Sequence, residues 1–132
     1  MDNQPNTPVY GPTNPRTPND GIRRIGSAIA LRPEKEAEYR KLHADVWRDV
    51  LEALTRSGIR NYVIYIGEMC GKKILFSSFE YHGADYDADM ARIAADPVTQ
   101  EWWALTDPCQ ERLPGAKKDE QWRQLEPVFV LP

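Results

Sequence analysis

Hydrophobic residues alternate with small or polar residues in three stretches of the chain, with the period of two that is typical of β-strands. In the first stretch, RRIGSAIAL, the large apolar residues Ile25, Ile29 and Leu31 share one parity. The second and third stretches, RNYVIYIG and KKILFSSFEY, are rich in β-branched and aromatic residues and are separated by a glycine-containing turn. The pattern therefore predicts one strand followed by a β-hairpin.

Between the first strand and the hairpin, apolar residues recur every three or four positions, as an amphipathic helix requires. Pro33 suits a first helical turn and Gly58 suits a C-terminal cap, so the spacing predicts one helix from Pro33 to about Ser57. Its predicted core stripe is Leu42, Val46, Val50, Ala53 and Leu54. Later segments predict two more helices, ADYDADMARIAADP and VTQEWWALTD, and a terminal strand, LEPVFVL.

The predicted order is strand, helix, strand, strand, helix, strand, which is a recurrent split βαβ arrangement. This order predicts an α+β fold, a ferredoxin-like βαββαβ sandwich. The sheet face without helices would expose apolar residues around Ile64 and Phe76, which favours a face-to-face homodimer. With 132 residues the chain has room for one domain, predicted over residues 22–132. Residues 1–21 contain five of the eleven prolines and are predicted to form a flexible leader.

Composition narrows the classes of function. The net charge is −3 and there is no basic stripe to neutralise phosphates, so no nucleic acid partner is predicted. No stretch approaches the ~20 apolar residues of a membrane span, and the N-terminus lacks the pattern of a secretory signal. Cys70 and Cys109 do not have the spacing of a zinc site or a disulfide framework. These features predict a cytoplasmic protein without a membrane partner.

The first predicted helix carries a polar aromatic stripe. Tyr39, His43 and Trp47 follow one another at i+4 spacing, beside the predicted core stripe rather than within it. Histidine gives and accepts protons near neutral pH, which makes His43 a candidate for acid/base chemistry. Spacing alone favours an interfacial helix edge instead. The other histidine, His82, is predicted to be a solvated turn residue, and no metal site is predicted.

Further aromatic candidates lie elsewhere in the chain. Trp102 and Trp103 are adjacent, so on a helix they point about 100° apart, and one is expected in the core while the other faces a cavity. Flat aromatic rings suit the apolar CH faces of sugars. Tyr62 shares parity with Ile64 and Ile66. The alternative to a ligand-binding role is that Tyr62 packs at the edge of the core. The chain has no motif of a nucleophile elbow, phosphate loop, dinucleotide site or zincin.

The segments EAEYRKLHADVW and SGIRNYVIYI, the tandem tryptophans and the terminal VFVLP together resemble the L-rhamnose mutarotase family of small dimeric α/β barrels. The resemblance extends from about Ile25 to Pro132. It implies interconversion of the α and β anomers of a 6-deoxyhexose, a small-molecule sugar, without a cofactor. It also implies that His43 is the proton donor and that the sugar is bound by Tyr39, Tyr62, Trp102 and Trp103.

The chain also departs from this family. Members that act on rhamnose commonly carry an NPDNSP-like stretch after the tandem tryptophans, where this chain reads DPCQERLPGAKKDEQW. The resemblance makes L-rhamnose the first candidate substrate, and this departure makes L-fucose the second. Two alternatives are a non-catalytic sugar-binding or regulatory domain and a cofactor-free oxygenase or haem-handling member of the wider barrel group. Glu80 is a candidate for the second proton-transfer group, or else a paired polar residue.

Overall fold

The computed structural model describes residues 21–131. The predicted leader, residues 1–21, lies outside the described residues except for Gly21, and the domain boundaries stay a prediction. The helices and strands are β1 (Arg23–Leu31), α1 (Glu36–Ala44), α2 (Arg48–Arg56), β2 (Ile59–Met69), β3 (Lys72–Tyr81), α3 (Tyr86–Ala95), α4 (Pro97–Thr106), β4 (Gln110–Glu111) and β5 (Arg123–Leu125). Short 3₁₀ turns precede α1 and follow α4.

The strands of the described chain form one five-stranded antiparallel sheet in the order β2-β3-β1-β4. The short strands β4 and β5 pair with different parts of β1, at Ala30–Leu31 and at Gly26–Ala28. The central position of β1 and β3 is that of a ferredoxin-like βαββαβ sandwich. The predicted α+β fold is therefore confirmed, and so is the hairpin of β2 and β3.

The two faces of the sheet are packed differently. The face that carries the helices holds two buried clusters, and burial of each aliphatic side chain there stabilises the fold by about 1.5–3 kcal/mol. One cluster is centred on Ile29 and contains Leu31, Tyr39, Leu75 and Cys109. The other lies nearer α3 and contains Ile59, Tyr81 and Ile93. On the outer face, a smaller buried cluster contains Ala28, Ala30 and Ile74, with Phe76 and Leu113 beside it.

The single helix predicted from Pro33 to Ser57 is wrong, because the segment forms two helices. At the break, Asp45 leaves the helical region with φ −146° and ψ 70°. No glycine or proline marks this position, but aspartate, valine and tryptophan are weak helix formers. The segment therefore has only a weak tendency to continue the helix. The edge-on contact of Trp47 with Trp102, with ring centroids 5.3 Å apart, outweighs that tendency. Trp47 therefore lies outside α1, at the N-cap position of α2.

The terminal strand is shorter and earlier than predicted. β5 ends at Leu125, and residues 126–131 are not assigned to a strand. Pro127 cannot donate a hydrogen bond to a strand ladder, which explains why pairing stops there. Val128 and Phe129 are largely exposed, whereas Val130 is buried.

The outer face of the sheet does expose apolar side chains as predicted, but one of the two residues predicted to lie there does not. Ile64 pairs with Ser77 and packs against the helix-side core, so its placement beside Phe76 is wrong. Phe76 lies opposite Tyr65 on the outer face. Ile64 instead shares the helix-side face of β2 with Tyr62, in keeping with their common parity. Large apolar side chains still remain exposed along this face of β2, at Val63, Tyr65 and Met69.

Candidate active site

The five residues that the family resemblance places in the site line one cavity of about 240 Å³. They come from three elements, with two on α1, one on β2 and two on α4: Tyr39, His43, Tyr62, Trp102 and Trp103. The cavity adjoins a larger apolar lobe of about 490 Å³ towards α2 and α3, which shares four of these residues. The fold therefore brings together side chains that are more than 60 positions apart in the sequence.

His43 is oriented by its own helix. Its Nδ1 atom lies 2.9 Å from the carbonyl oxygen of Tyr39. Because a carbonyl oxygen can only accept, Nδ1 carries the proton, and Nε2 of the neutral ring keeps its lone pair. The imidazole stacks on the Tyr39 ring at 4.1 Å between centroids and meets the edge of Trp102 at 5.4 Å. Burial lowers the pKa of His43, so the neutral ring predominates at neutral pH.

Tyr39 belongs to the core rather than to a stripe beside it, so that part of the sequence prediction is wrong. Only 5% of its surface is exposed. Its hydroxyl lies close to the side chain of Gln110, whose Oε1 accepts a bond of 3.5 Å from Nε2 of Gln121. Burial raises the pKa of Tyr39 well above its ordinary value, so the phenol stays protonated and can donate a hydrogen bond.

The tandem tryptophans differ in burial, as predicted. Trp102 is 6% exposed and packs against His43 and Trp47, whereas Trp103 is 38% exposed. Both rings line the cavity. Trp102 therefore contacts both the core and the cavity, and the exposed part of the Trp103 ring is accessible to a ligand.

Tyr62 forms the β2 side of the cavity. Its ring packs on Phe79 at 5.2 Å between centroids, on the face of the sheet that carries the helices. The residue keeps 42% of its surface exposed. Protein atoms around the phenol nevertheless desolvate it and raise its pKa, so the hydroxyl is neutral at physiological pH.

Comparison with known proteins identifies the family to which the chain belongs. The family model described as L-rhamnose mutarotase matches residues 24–131. The chain belongs to the L-rhamnose mutarotase family. An L-rhamnose mutarotase from Jannaschia sp. (strain CCS1) is 33% identical over 104 residues, which are 79% of this chain and 93% of that protein. An L-fucose mutarotase from Xanthomonas campestris pv. campestris is 34% identical over 99 residues, which are 72% and 75% of the two chains.

A solved structure supports the fold of the L-rhamnose mutarotase family for this chain. The crystal structure of an L-rhamnose mutarotase from Formosa agariphila matches with a TM-score of 0.61 and 18% identity. The match covers 83% of this chain and 99% of that one. Membership of the family makes the protein an enzyme of the isomerase class.

Sequence reasoning missed several polar residues of this mutarotase-family cavity. They are Thr106, Asp107, Gln110 and Gln121, together with the aromatic Trp122. The first two follow the tandem tryptophans at i+4 spacing, so helical periodicity contained a signal for them. No local pattern pointed to the two glutamines, which reach the cavity only through the pairing of β4 and β5 with β1.

Asp107 is the one carboxylate among the described residues that line this cavity. It is the first residue of the 3₁₀ turn after α4, and its side chain is exposed. Partial desolvation raises the pKa of the Asp107 carboxyl. A carboxyl in these surroundings can accept a hydrogen bond from a sugar hydroxyl or exchange a proton with it.

Glu80 lies away from the cavity that contains His43. It lines a separate pocket at the C-terminal tail and accepts hydrogen bonds from Nδ2 of Asn61 at 3.1 Å and from Nε2 of His82 at 2.8 Å. These bonds lower the pKa of Glu80. Of its two predicted roles, the contacts favour a paired polar residue. His82 is exposed, as predicted for a residue at the end of the strand.

The described part of the chain, residues 21–131, has neither a membrane-spanning helix nor a metal-binding cluster. No helix in that range has both the length and the apolar character needed to span a membrane. Within the same range, no three side chains of histidine, cysteine, aspartate or glutamate are grouped in a way that could hold a metal ion.

Proposed function

We propose that this protein interconverts the α and β anomers of a 6-deoxyhexose, with L-rhamnose as the first candidate and L-fucose as the second. The observation that carries the proposal is a partly buried, neutral histidine in a cavity walled by Tyr62, Trp102 and Trp103. Family membership supports a sugar mutarotase. The relatives named for rhamnose and for fucose are almost equally similar, at 33% and 34% identity, so both sugars are candidates.

The reaction needs proton transfers and no change of oxidation state. A base removes the proton of the anomeric hydroxyl, and the electron pair of that O–H bond forms the carbonyl of the open-chain aldehyde. The C1–O5 bond breaks, and its electron pair goes to the ring oxygen O5, which takes up a proton. Rotation about C1–C2 and the reverse transfers close the ring as the other anomer.

We assign the proton transfer to His43. The neutral ring accepts the hydroxyl proton at Nε2, because Nδ1 already donates to the carbonyl of Tyr39. The imidazolium that results is a ready proton donor, since burial lowers its pKa. Both oxygens are attached to C1, so one ring can serve each in turn. A positioned acid/base group contributes ~10²- to 10⁴-fold, or about 3–5 kcal/mol of the barrier.

The remaining residues of the cavity suit a deoxysugar. The accessible ring of Trp103 can cover the CH face of a pyranose, and the protonated hydroxyls of Tyr39 and Tyr62 can donate to sugar oxygens. The adjoining lobe is lined by aliphatic side chains such as Val46 and Val50. A lobe of this character accepts the C6 methyl group that distinguishes a 6-deoxyhexose from a hexose.

The test is NMR saturation transfer between the anomeric proton signals of L-rhamnose and, separately, of L-fucose. We expect the wild-type protein to accelerate exchange for at least one sugar and His43→Ala to lose ~10²-fold or more of that acceleration. Lys41→Ala, an exposed change on the same helix, is the matched control and should keep full activity. Saturable binding of a sugar without faster exchange would instead support the non-catalytic sugar-binding alternative.

We further infer that the enzyme is a cytoplasmic homodimer. The support for a dimer is the outer face of the sheet, where Tyr65 and Met69 leave 60% and 52% of their surfaces exposed beside Phe76. A second copy of the same face is the simplest partner that would cover these side chains. The cytoplasmic location rests on composition and on the absence of a secretory pattern in the sequence.

A further inference from the structure

Strand β2 contains one extra residue relative to its partner β3. The register of the two strands shifts between Arg60 and Val63. Two residues of β2, Asn61 and Tyr62, therefore lie opposite a single residue of β3, Phe79. This arrangement is a β-bulge, a feature that redirects side chains and is frequent beside active sites.

The bulge determines which face of the sheet receives Tyr62. Ile59, at the start of β2, is buried against the helix-side core. Strict alternation from Ile59 would direct Asn61 and Val63 towards the helices and Tyr62 towards the outer face. With the extra residue, Tyr62 lies on the helix side and lines the cavity, as does Ile64. The bulge therefore brings the Tyr62 hydroxyl to the site.

Asn61 supplies the backbone conformation that the bulge requires. Its φ angle is +51°, and among the described residues other than glycine only Cys70 also has a positive φ. Asparagine adopts this left-handed region more readily than most residues, whereas alanine and β-branched residues are strained there. The Asn61 side chain is tied to Glu80 by its 3.1 Å hydrogen bond, and His82 binds the same carboxylate oxygen.

We propose that Asn61 is a positioning residue, whose left-handed backbone and hydrogen bond to Glu80 hold the bulge that places the Tyr62 hydroxyl in the sugar cavity. The functional part of this inference rests on the proposed mutarotase activity. It gives Glu80 a structural role as the anchor of the bulge, since Glu80 does not line the cavity that contains His43.

A double-mutant cycle on kcat/KM for anomer exchange tests whether Asn61 acts through Tyr62. We expect Asn61→Ala to lower kcat/KM about tenfold, as loss of one substrate hydrogen bond would. Asn61→Gly, which keeps the left-handed backbone, should retain most of the activity. In a Tyr62→Phe background, Asn61→Ala should have little further effect. Additive losses in the double variant would overturn the proposal.

Cys70→Val is the matched control. It introduces a strained side chain at the other positive φ of the same hairpin, +53°, in the turn far from the site. We expect it to lower the thermal unfolding midpoint and to leave kcat/KM unchanged. If Cys70→Val and Asn61→Ala reduce stability equally and also reduce kcat/KM equally, the effect of Asn61 is general destabilisation and the proposal fails.

A second readout does not depend on activity. In protein carrying ¹³C-labelled tyrosine Cζ, the resonance that disappears in Tyr62→Phe reports the ionisation of Tyr62. Its pKa is raised in the wild type by desolvation in the cavity and should move back towards the ordinary tyrosine value in Asn61→Ala. An unchanged titration would overturn the placement argument. If the wild type does not accelerate anomer exchange, the proposed function fails, and this titration still decides whether Asn61 positions Tyr62.

Discussion

The imidazole of His43 donates a hydrogen bond from Nδ1 to the carbonyl oxygen of Tyr39, one helical turn earlier, at 2.9 Å. This contact selects the tautomer of the ring through a backbone oxygen of the same helix. It leaves Nε2 as the atom that exchanges protons, and the stacked Tyr39 ring restricts rotation of the imidazole. A single turn of α1 thus prepares the proposed acid/base group before a ligand binds.

The lowered pKa of His43 predicts the direction of the pH dependence. The neutral ring is the active base, so exchange should be constant near neutral pH and fall as pH drops through a pKa below the ordinary histidine value of about 6.5. The measurement is the rate of anomer exchange between about pH 4.5 and 8. Asp107 also lines the cavity, and its carboxyl titrates in acid. Asp107→Asn removes that titration, so the fall in rate due to His43 should remain at the same pH in this variant. A fall in the exchange rate centred above the ordinary histidine pKa would contradict the assignment to His43.

The tandem tryptophans should give opposite phenotypes. Trp102→Ala removes a buried ring that packs on His43 and Trp47, and we expect it to lower the free energy of unfolding by about 3–5 kcal/mol. Trp103→Ala removes a partly exposed ring, so it should change stability by less than about 1 kcal/mol and weaken sugar binding about tenfold. Denaturant unfolding and KM for the sugar separate the two effects. A large loss of stability in Trp103→Ala would argue against its role as a ligand surface.

Much of the fold follows from periodicity. Alternation predicted β1 and the hairpin, and spacing by three and four predicted α3 and α4, because one face of each of these elements is buried on the core. The division between Trp102 and Trp103 also follows from the angle between adjacent helical residues. Grouping the aromatic residues around His43 required the family resemblance, since spacing alone fitted a structural helix edge.

The failures of prediction are tertiary in origin. Local propensity does not mark the break at Asp45, which is maintained by the contact of Trp47 with a distant tryptophan. The placement of Gln110 and Gln121 depends on short strands whose pairing is set by β1. The bulge at Asn61 shifts the alternation of β2 by one residue, a change that counting hydrophobic positions cannot detect.

Asp107 should assist His43 in proton exchange with the sugar, so it should affect turnover more than binding. Asp107→Asn keeps the shape of the side chain and one acceptor oxygen, but it replaces the other oxygen with an amide donor and cannot exchange a proton. We expect kcat to fall at least about tenfold while KM changes less than about threefold. Measuring both constants by anomer exchange distinguishes the roles. A higher KM with unchanged kcat would show that Asp107 only binds the sugar.

The exposed outer face predicts that the protein is a dimer in solution. Light scattering should give twice the mass of one chain at micromolar concentration, and Tyr65→Glu should weaken the dimer by roughly 10²- to 10³-fold, because it would bury an unpaired charge in the interface. Leu105→Glu makes the same apolar-to-acidic change on α4, at a side chain that is 41% exposed, and should leave the mass unchanged. A monomeric wild type, or equal dissociation in both variants, would be incompatible with pairing through the outer sheet face.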